Sequence, residues 1–202
     1  FELAERLTKE NNKVLICGRS LKKLEEAKTG LPELDYFQCD LSNPQECIKL
    51  VKWVAENHPE CNVVINNAAI VHTESFREDE LAIEKAEAEV QTNLMAPIRL
   101  AKYFIPLLEQ NKNPQIVHIT TGLVYAPKAA YPFYNATKAA LHSFTQVLRI
   151  QLEASPIEVT EVMFPAVDTP WHNGHPPKIA IPAEKAVDEM IRGLQKQKPE
   201  IR

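Results

Sequence analysis

The sequence places a tyrosine and a lysine four residues apart at the head of an apolar helical pattern. Tyr134 and Lys138 lie in a predicted helix over residues 132 to 154, and residues at this spacing share one helix face. A neighbouring cation lowers the pKa of a phenol, which is ordinarily about 10. We therefore expect Lys138 to lower the pKa of Tyr134, so that Tyr134 acts as a general acid or base on a substrate oxygen.

Two further polar side chains are expected near this pair. Thr121 ends a strand-like segment thirteen residues before Tyr134, and Asn93 lies on the long helical region that precedes that strand. A tyrosine–lysine pair alone is a weak motif, because both residues are common on helix surfaces. Together with a hydroxyl and an amide, however, the pair predicts an active site in which the Thr121 hydroxyl binds the same substrate oxygen.

The elements that must position these groups alternate along the chain. Short apolar strand-like segments are separated by helical patterns of about 10 to 20 residues. The strand-like segments are KVLICG, LDYFQC, NVVIN, PQIVHITT and IEVTEVMF. The alternation predicts a doubly wound α/β domain with a parallel sheet and helices on both faces, in which ligands bind at the carboxyl ends of the strands. Pro97 is expected to bend or divide the helical region 78 to 109.

Composition limits the classes of function. A chain of 202 residues with 45% hydrophobic content fits one domain spanning residues 1 to 202. A net charge of −4 with both signs interspersed is compatible with catalysis on small ligands. It provides no basic patch for binding nucleic acid or an anionic membrane. The four cysteines show no C-x-x-C spacing, and His172 and His175 lack a third ligand. We predict free thiols, a cytoplasmic protein and no metal site.

Four motifs occur in order along the chain: NNAA (66 to 69), QTNL (91 to 94), ITTG (119 to 122) and YNATK (134 to 138). In these motifs the sequence resembles the short-chain dehydrogenase/reductase family, over nearly its whole length. Within the family, TTGLVYAPKAAYPFYNATKAALHSFTQVLR is most similar to the bacterial branch named after an oxidoreductase of the D-alanylation operon. The resemblance implies a Rossmann fold and hydride transfer between a nicotinamide and a carbonyl or alcohol carbon.

The resemblance also implies roles for individual residues. Tyr134 would be the general acid/base, and Lys138 would lower its pKa and hold the nicotinamide ribose. Thr121, which stands where the family has serine, would polarise the carbonyl, and Asn93 would hold a proton-relay water. The cofactor-binding residues would be Arg19, Ser20, Asp40, Leu41, Asn67, Ala68, Ala69, Tyr134, Lys138, Pro165, Val167 and Thr169. Of these, Asp40 and Leu41 would meet the adenine and Thr169 the carboxamide.

The choice of cofactor depends on the residues that follow KVLICG. A carboxylate there would bind the ribose 2′-hydroxyl of NAD, whereas Arg19, helped by Ser20, suits the 2′-phosphate of NADP. The sequence favours NADP and leaves NAD possible. The alternative for Arg19 is a solvated cation at a strand end.

The sequence departs from the family in its glycines. Ala69 stands where the family has glycine, and the five glycines form no G-x-x-x-G-x-G phosphate loop. We expect the native protein to have a further N-terminal segment whose strand lies between KVLICG and NVVIN, and KQKPEIR to open an extended segment that is cut short. The alternative is a catalytically impaired relative that senses nucleotides or acts as a scaffold. The resemblance also implies a homodimer or homotetramer, formed through the helical regions 78 to 109 and 132 to 154.

Overall fold

The computed structural model describes residues 1–73, 75–172 and 174–202, apart from the Trp171 side chain. The helices are α1 (Glu2–Lys9), α2 (Leu21–Gly30), α3 (Pro44–Asn57), α4 (Ala82–Glu89), α5 (Ala96–Leu108), α6 (Pro132–Gln151) and α7 (Ala183–Gln195). The strands are β1 (Leu15–Gly18), β2 (Asp35–Gln38), β3 (Val63–Asn66), β4 (Gln115–Thr121), β5 (Glu158–Phe164), β6 (Val167–Asp168), β7 (Ile181–Pro182) and β8 (Glu200–Ile201). Short 3-10 turns follow β4 at Gly122–Val124 and β6 at Pro170–His172.

Local side-chain chemistry sets the starts of two helices. The Ser20 hydroxyl accepts a hydrogen bond from the backbone N–H of Lys23 at 3.3 Å and caps α2. The Asn43 side chain accepts from the N–H of Gln45 at 2.9 Å and caps α3, with Pro44 in its first turn. Each cap satisfies a backbone donor that has no partner inside the helix.

All pairings between the described strands are parallel. One sheet has the order β3-β4-β5-β8, while β1 pairs with β2 and β6 with β7. This topology, with helices between successive strands, confirms the predicted doubly wound α/β fold. The extended segment predicted at the C-terminal end is β8, which pairs with β5.

The β1–β2 pair and the four-stranded sheet share no ladder hydrogen bonds within the described residues. The strand that the family resemblance implies between β1 and β3 stays a prediction. Among the described strands, β3 pairs with β4 alone. Val63 is 36% exposed, and the Nδ2 atom of Asn66 is buried without a described hydrogen-bond partner.

The core is divided between the two faces of the sheet. The larger cluster lies between α3, α5, α6 and the sheet, and includes Leu50, Phe104, Leu108, Ile116 and Leu148. The smaller cluster lies on the opposite face beneath α7, and consists of Val117, Ile119, Val162, Met190 and Ile201. Because side chains alternate along a strand, neighbouring residues of β4 contribute to opposite clusters. Both faces of the sheet are therefore covered, as a parallel sheet requires.

A π-helical turn, Val90–Met95, separates α4 from α5 and contains Asn93. Pro97 lacks the N–H that a regular α-helix would direct to the carbonyl of Asn93, four residues earlier. The predicted irregularity of this helical region therefore lies at Val90–Met95, just before Pro97, and Pro97 itself belongs to the first turn of α5. Widened turns of this kind are frequent at functional sites.

None of the described helices combines the length and the apolarity needed to cross a bilayer. The four cysteines are free thiols, as predicted. Within the described part of the chain, no group of three His, Cys, Asp or Glu residues is arranged to hold a metal ion.

Candidate active site

Tyr134 and Lys138 occupy the first two turns of α6, which begins at Pro132. The Nζ atom of Lys138 lies 5.8 Å from the centroid of the Tyr134 ring. The two side chains therefore share one face of the helix, as their spacing predicts. Their catalytic roles remain predictions at this point.

Lys138 joins α6 to the end of β4. Its side chain is only 2% exposed, and Nζ donates a hydrogen bond to the carbonyl oxygen of Ile119 at 2.7 Å. Burial lowers the pKa of Lys138 to about 8, and the negative charge of Glu161 acts in the opposite direction by raising it. The ammonium thus lies two residues from Thr121, which ends the strand.

The pKa of Tyr134 is raised to about 12, chiefly by burial and further by the negative charge of Glu89 and by the neighbouring Tyr131. The expectation of a lowered pKa is therefore wrong, because the net shift is upward. Desolvation of the phenolate outweighs any attraction to the Lys138 ammonium, which is directed to the Ile119 carbonyl. The phenol consequently stays protonated at neutral pH.

Thr121 is 8% exposed and is the last residue of β4. The 3-10 turn that follows it, Gly122–Val124, packs against α6. Its Oγ1 accepts a hydrogen bond from the N–H of Leu123 at 3.3 Å. Because a hydroxyl is both acceptor and donor, the Thr121 proton remains available for another acceptor. This open donor lies at the end of β4, two residues after the Ile119 carbonyl that binds Lys138.

Asn93 connects the loop after β3 to α6. Its Oδ1 accepts from the N–H of Ile70 and its Nδ2 donates to the carbonyl of Ile70, both at 2.8 Å. Nδ2 also lies 3.3 Å from Oγ1 of Thr137, the residue before Lys138. The side-chain amide is thus occupied by protein groups. The role of Asn93 in holding a relay water stays a prediction.

Glu89 and His72 belong to the same cluster, although neither was predicted. The Glu89 carboxylate is fully buried and accepts from the backbone N–H and ring Nδ1 of His72 at 2.8 and 2.9 Å. Its other oxygen lies 3.3 Å from Nδ2 of Asn93. The available sequence signal was the spacing of four between Glu89 and Asn93, which places both on one helix face.

A second unpredicted cluster lies beneath α6. The fully buried carboxylate of Glu161 accepts hydrogen bonds from the Thr120 hydroxyl and from Nδ1 of His142, the latter at 2.8 Å. His142 follows Lys138 by one helical turn, and this spacing was the signal that could have revealed it.

The predicted cofactor residues lie at the carboxyl ends of the strands. Arg19 and Ser20 follow β1 and are exposed, and no described acidic side chain forms an ion pair with Arg19. After β2, the Asp40 carboxylate accepts from the N–H and hydroxyl of Ser42, while the side chain of Leu41 is buried. The remaining predicted residues follow β3 and β5 at the same edge: Asn67, Ala68 and Ala69 are exposed, Pro165 is exposed, and Val167 and Thr169 are half-buried.

Comparison with known proteins identifies the class. The family model for short chain dehydrogenase matches residues 1–179. The uncharacterized oxidoreductase DltE of Bacillus subtilis (strain 168) is 39% identical over 208 aligned positions, which cover 100% of this chain and 82% of the relative. The chain therefore belongs to the short-chain dehydrogenase/reductase family of oxidoreductases. The similarity to the branch that contains DltE is confirmed as well.

Solved structures share the fold. A short-chain dehydrogenase from Sphingobium yanoikuyae in complex with NADPH has a TM-score of 0.87 at 23% identity, covering 99% of this chain and 81% of that one. An alcohol dehydrogenase from the archaeon Thermococcus sibiricus, complexed with 5-hydroxy-NADP, has a TM-score of 0.85 at 19% identity, covering 100% and 88%. These likenesses support the Rossmann fold of the chain.

Proposed function

We propose that this protein is an NADP-preferring oxidoreductase that interconverts a carbonyl and a secondary alcohol, with Tyr134 as general acid/base. The proposal depends on one observation. Tyr134 and Lys138 share a face of α6, and a hydrogen bond from Lys138 connects this face to the end of the strand that carries Thr121. The bond is the one from Lys138 Nζ to the Ile119 carbonyl. Asn93 is bonded to the same helix through Thr137.

The residues at the strand ends fit a nicotinamide dinucleotide. An exposed guanidinium at Arg19, beside the Ser20 hydroxyl, suits the 2′-phosphate that distinguishes NADP from NAD. Asp40 and Leu41 would hold the adenine, and Asn67 to Ala69 would line the nucleotide. The segment from Pro165 through Val167 to Thr169 would hold the nicotinamide end. When bound, the nicotinamide supplies or accepts the hydride.

The chain itself would handle the proton. Because the pKa of Tyr134 is about 12, its phenol is protonated at neutral pH and suited to give a proton to a carbonyl oxygen. The Thr121 hydroxyl would donate a second hydrogen bond to that oxygen and stabilise its developing negative charge. In the oxidation direction Tyr134 would accept the proton, with the Lys138 ammonium stabilising the phenolate. A water on the Asn93 carbonyl would connect the site to solvent.

Cofactor binding and turnover test this proposal separately. We expect the full-length protein to bind NADPH more tightly than NADH when titrated by nicotinamide fluorescence. It should then oxidise NADPH in the presence of an aldehyde, a ketone or a quinone. Failure to bind either nucleotide would contradict the proposal. Binding without any Tyr134-dependent turnover would favour the sensor or scaffold alternative.

The proposed assembly is a homodimer or homotetramer. Large apolar side chains on α4 to α6 remain exposed in the single chain, among them Ile83, Tyr103, Val147 and Ile150, and association would cover them. A monomeric mass by light scattering would contradict this. The free thiols support a cytoplasmic location, which recovery of the protein in a membrane or secreted fraction would contradict.

A further inference from the structure

A strip of buried polar side chains lies between α6 and the sheet, and the proposed function uses only one of them. We call it the α6 polar strip. Its members on the helix are Lys138, His142 and Thr145, and its members on the sheet are His118, Thr120 and Glu161. Most of these side chains are buried, although polar groups in a core are costly unless they are hydrogen-bonded. The strip therefore requires an explanation.

The positions of its members follow from regular geometry. The spacing of Lys138, His142 and Thr145 places them on one face of α6. The parallel register of β4 and β5 pairs His118 with Glu161, and Thr120 lies two residues after His118 on the same face. Lys138, the only lysine of α6, thus lies on the helix face that covers Glu161. Glu161 is the one carboxylate on this face of β4 and β5.

Glu161 is fixed in place from both sides. The Thr120 hydroxyl donates to Oε1, and Nδ1 of His142 lies 2.8 Å from Oε2. Because a carboxylate accepts hydrogen bonds, Nδ1 of His142 carries the proton in this pair. Two donors and complete burial hold the carboxylate in one orientation, beside His142 one turn of α6 beyond Lys138 and away from solvent. No ion pair within 4 Å joins it to Nζ of Lys138 among the described residues, so its charge acts on the ammonium at longer range.

The ammonium of Lys138 has few other charged neighbours. On α6 it faces Tyr134 and His142, and on β4 it faces His118, which burial keeps neutral with a pKa of about 4. From α4, Glu89 acts on Tyr134. From β5 comes Glu161, whose charge also reaches the exposed Arg202. Glu161 is thus the carboxylate placed to compensate the burial of Lys138.

We propose that Glu161, held by Thr120 and His142, is a positioning residue that supplies the counter-charge of Lys138 and keeps its ammonium charged in the active site. The inference rests on the proposed function, in which a charged Lys138 stabilises the Tyr134 phenolate and binds a ribose hydroxyl. The opposing effects of burial and of Glu161 on the pKa of Lys138 agree with it.

The direct test is the pKa of Lys138, measured in the ligand-free, full-length protein by NMR of ¹³C-labelled lysine and assigned with Lys138→Arg. In Glu161→Gln we expect this pKa to fall by about 1 or more, since an opposite charge nearby typically shifts a pKa by about 1 to 3. The matched control is Glu158→Gln. Glu158 lies on the same strand, faces the other side and accepts from Gln115, so its loss should leave the pKa of Lys138 unchanged. An unchanged pKa in Glu161→Gln overturns the proposal.

A second variant keeps the proposal testable if Glu161→Gln does not fold. The double variant Glu161→Leu, His142→Leu removes the carboxylate and its ring donor together, which avoids leaving a buried donor without an acceptor. We expect the same fall in the pKa of Lys138. A folded double variant with an unchanged pKa would contradict the proposal as firmly as the single variant.

A separate activity measurement distinguishes this proposal from the proposed function. In Glu161→Gln, the pH at which kcat/KM declines on the alkaline side should move down with the pKa of Lys138. If the pKa falls but the wild type reduces no carbonyl compound, the proposed function fails while the counter-charge is real. If the wild type is active and the pKa does not move, the counter-charge proposal fails alone.

Discussion

At the scale of single residues, burial favours the neutral forms of both Tyr134 and Lys138. The pKa of Tyr134 rises to about 12 and that of Lys138 falls to about 8. At pH 7 the phenol is therefore protonated while the amine is still mostly charged. In the proposed mechanism such a pair gives a proton to a substrate oxygen, and the cation stabilises the phenolate that remains.

Glu89 opposes ionisation of Tyr134, because its buried negative charge raises the pKa of the phenol. Replacing it by glutamine should therefore lower the pKa of Tyr134. Subtracting the ultraviolet titration of Glu89→Gln/Tyr134→Phe from that of Glu89→Gln isolates the signal of the Tyr134 phenolate. We expect this phenolate to appear at lower pH than in the same difference between the wild type and Tyr134→Phe. Glu87→Gln, an exposed position on the same helix, is the control and should change nothing. An unchanged or higher pKa of Tyr134 in Glu89→Gln would contradict the statement that the charge of Glu89 raises this pKa.

Thr121 supplies a hydroxyl on a stiff, branched side chain. Thr121→Ser keeps the hydroxyl and should retain kcat within about tenfold. Thr121→Val keeps the shape and removes the hydrogen-bond donor, so kcat should fall by about 10²- to 10³-fold, as for the loss of one donor to a developing oxyanion. Steady-state kinetics decide between the two cases. Equal kcat in the serine and valine variants would mean that the hydroxyl does not contact the reacting oxygen.

At the scale of elements, the proposed preference for NADP depends on the residues at the strand ends. Arg19 follows β1 directly, and its guanidinium has no described ion pair. Arg19→Gln should weaken NADPH binding by about 10-fold or more, the loss of a hydrogen bond to a charged group, and leave NADH binding unchanged. Lys22→Gln, an exposed change on the adjoining α2, serves as control. Fluorescence titration with both nucleotides tests this, and a parallel loss of NADH affinity would contradict it.

Elements whose signals are local could be predicted from the sequence. Ser20 and Asn43 mark helix starts by their own side-chain chemistry, and Pro97 interrupts a helix because it lacks an N–H. The parallel strands follow from alternation with helices. The face shared by Tyr134 and Lys138 follows from helical spacing alone.

Parts of the site that depend on tertiary burial could not be predicted. Glu89 and Glu161 are ordinary acidic residues in the sequence, and only packing against the loop after β3 and against α6 buries them. The direction in which the pKa of Tyr134 shifts could not be predicted for the same reason. Spacing places a lysine near the phenol, but it states neither how deeply both are buried nor that the Ile119 carbonyl takes the ammonium.

At the scale of the whole molecule, the buried polar residues beneath α6 link stability to pH. His118 is fully buried and its Nδ1 lies 2.8 Å from the Thr145 hydroxyl. That hydroxyl donates to the Leu141 carbonyl, so His118 donates from Nδ1, while its Nε2 is buried without a described hydrogen-bond partner. Burial, with a smaller effect of Lys138, lowers the pKa of His118 to about 4.

A histidine whose pKa is lower in the folded state contributes stability that is complete above its unfolded pKa of about 6.5 and is lost as pH falls towards 4. We therefore expect His118 to account for a loss of about 2 kcal/mol in the free energy of unfolding between pH 7 and pH 5. Urea unfolding at both pH values measures it. His118→Asn should show a correspondingly smaller pH dependence than the wild type, whereas His175→Asn, at an exposed site, should not. Equal pH dependence in wild type and His118→Asn would contradict the prediction.

The most direct test of the proposed chemistry is the loss of one oxygen atom at Tyr134. Tyr134→Phe should still bind NADPH, with an affinity within about tenfold of the wild type, because the ring and its packing are kept and only one hydrogen bond is lost. With a carbonyl substrate that the wild type reduces, its kcat should fall by about 10²- to 10⁴-fold, the usual contribution of a general acid. A Tyr134→Phe variant that binds NADPH and reduces the carbonyl at the wild-type rate would contradict the assignment of Tyr134 as the acid.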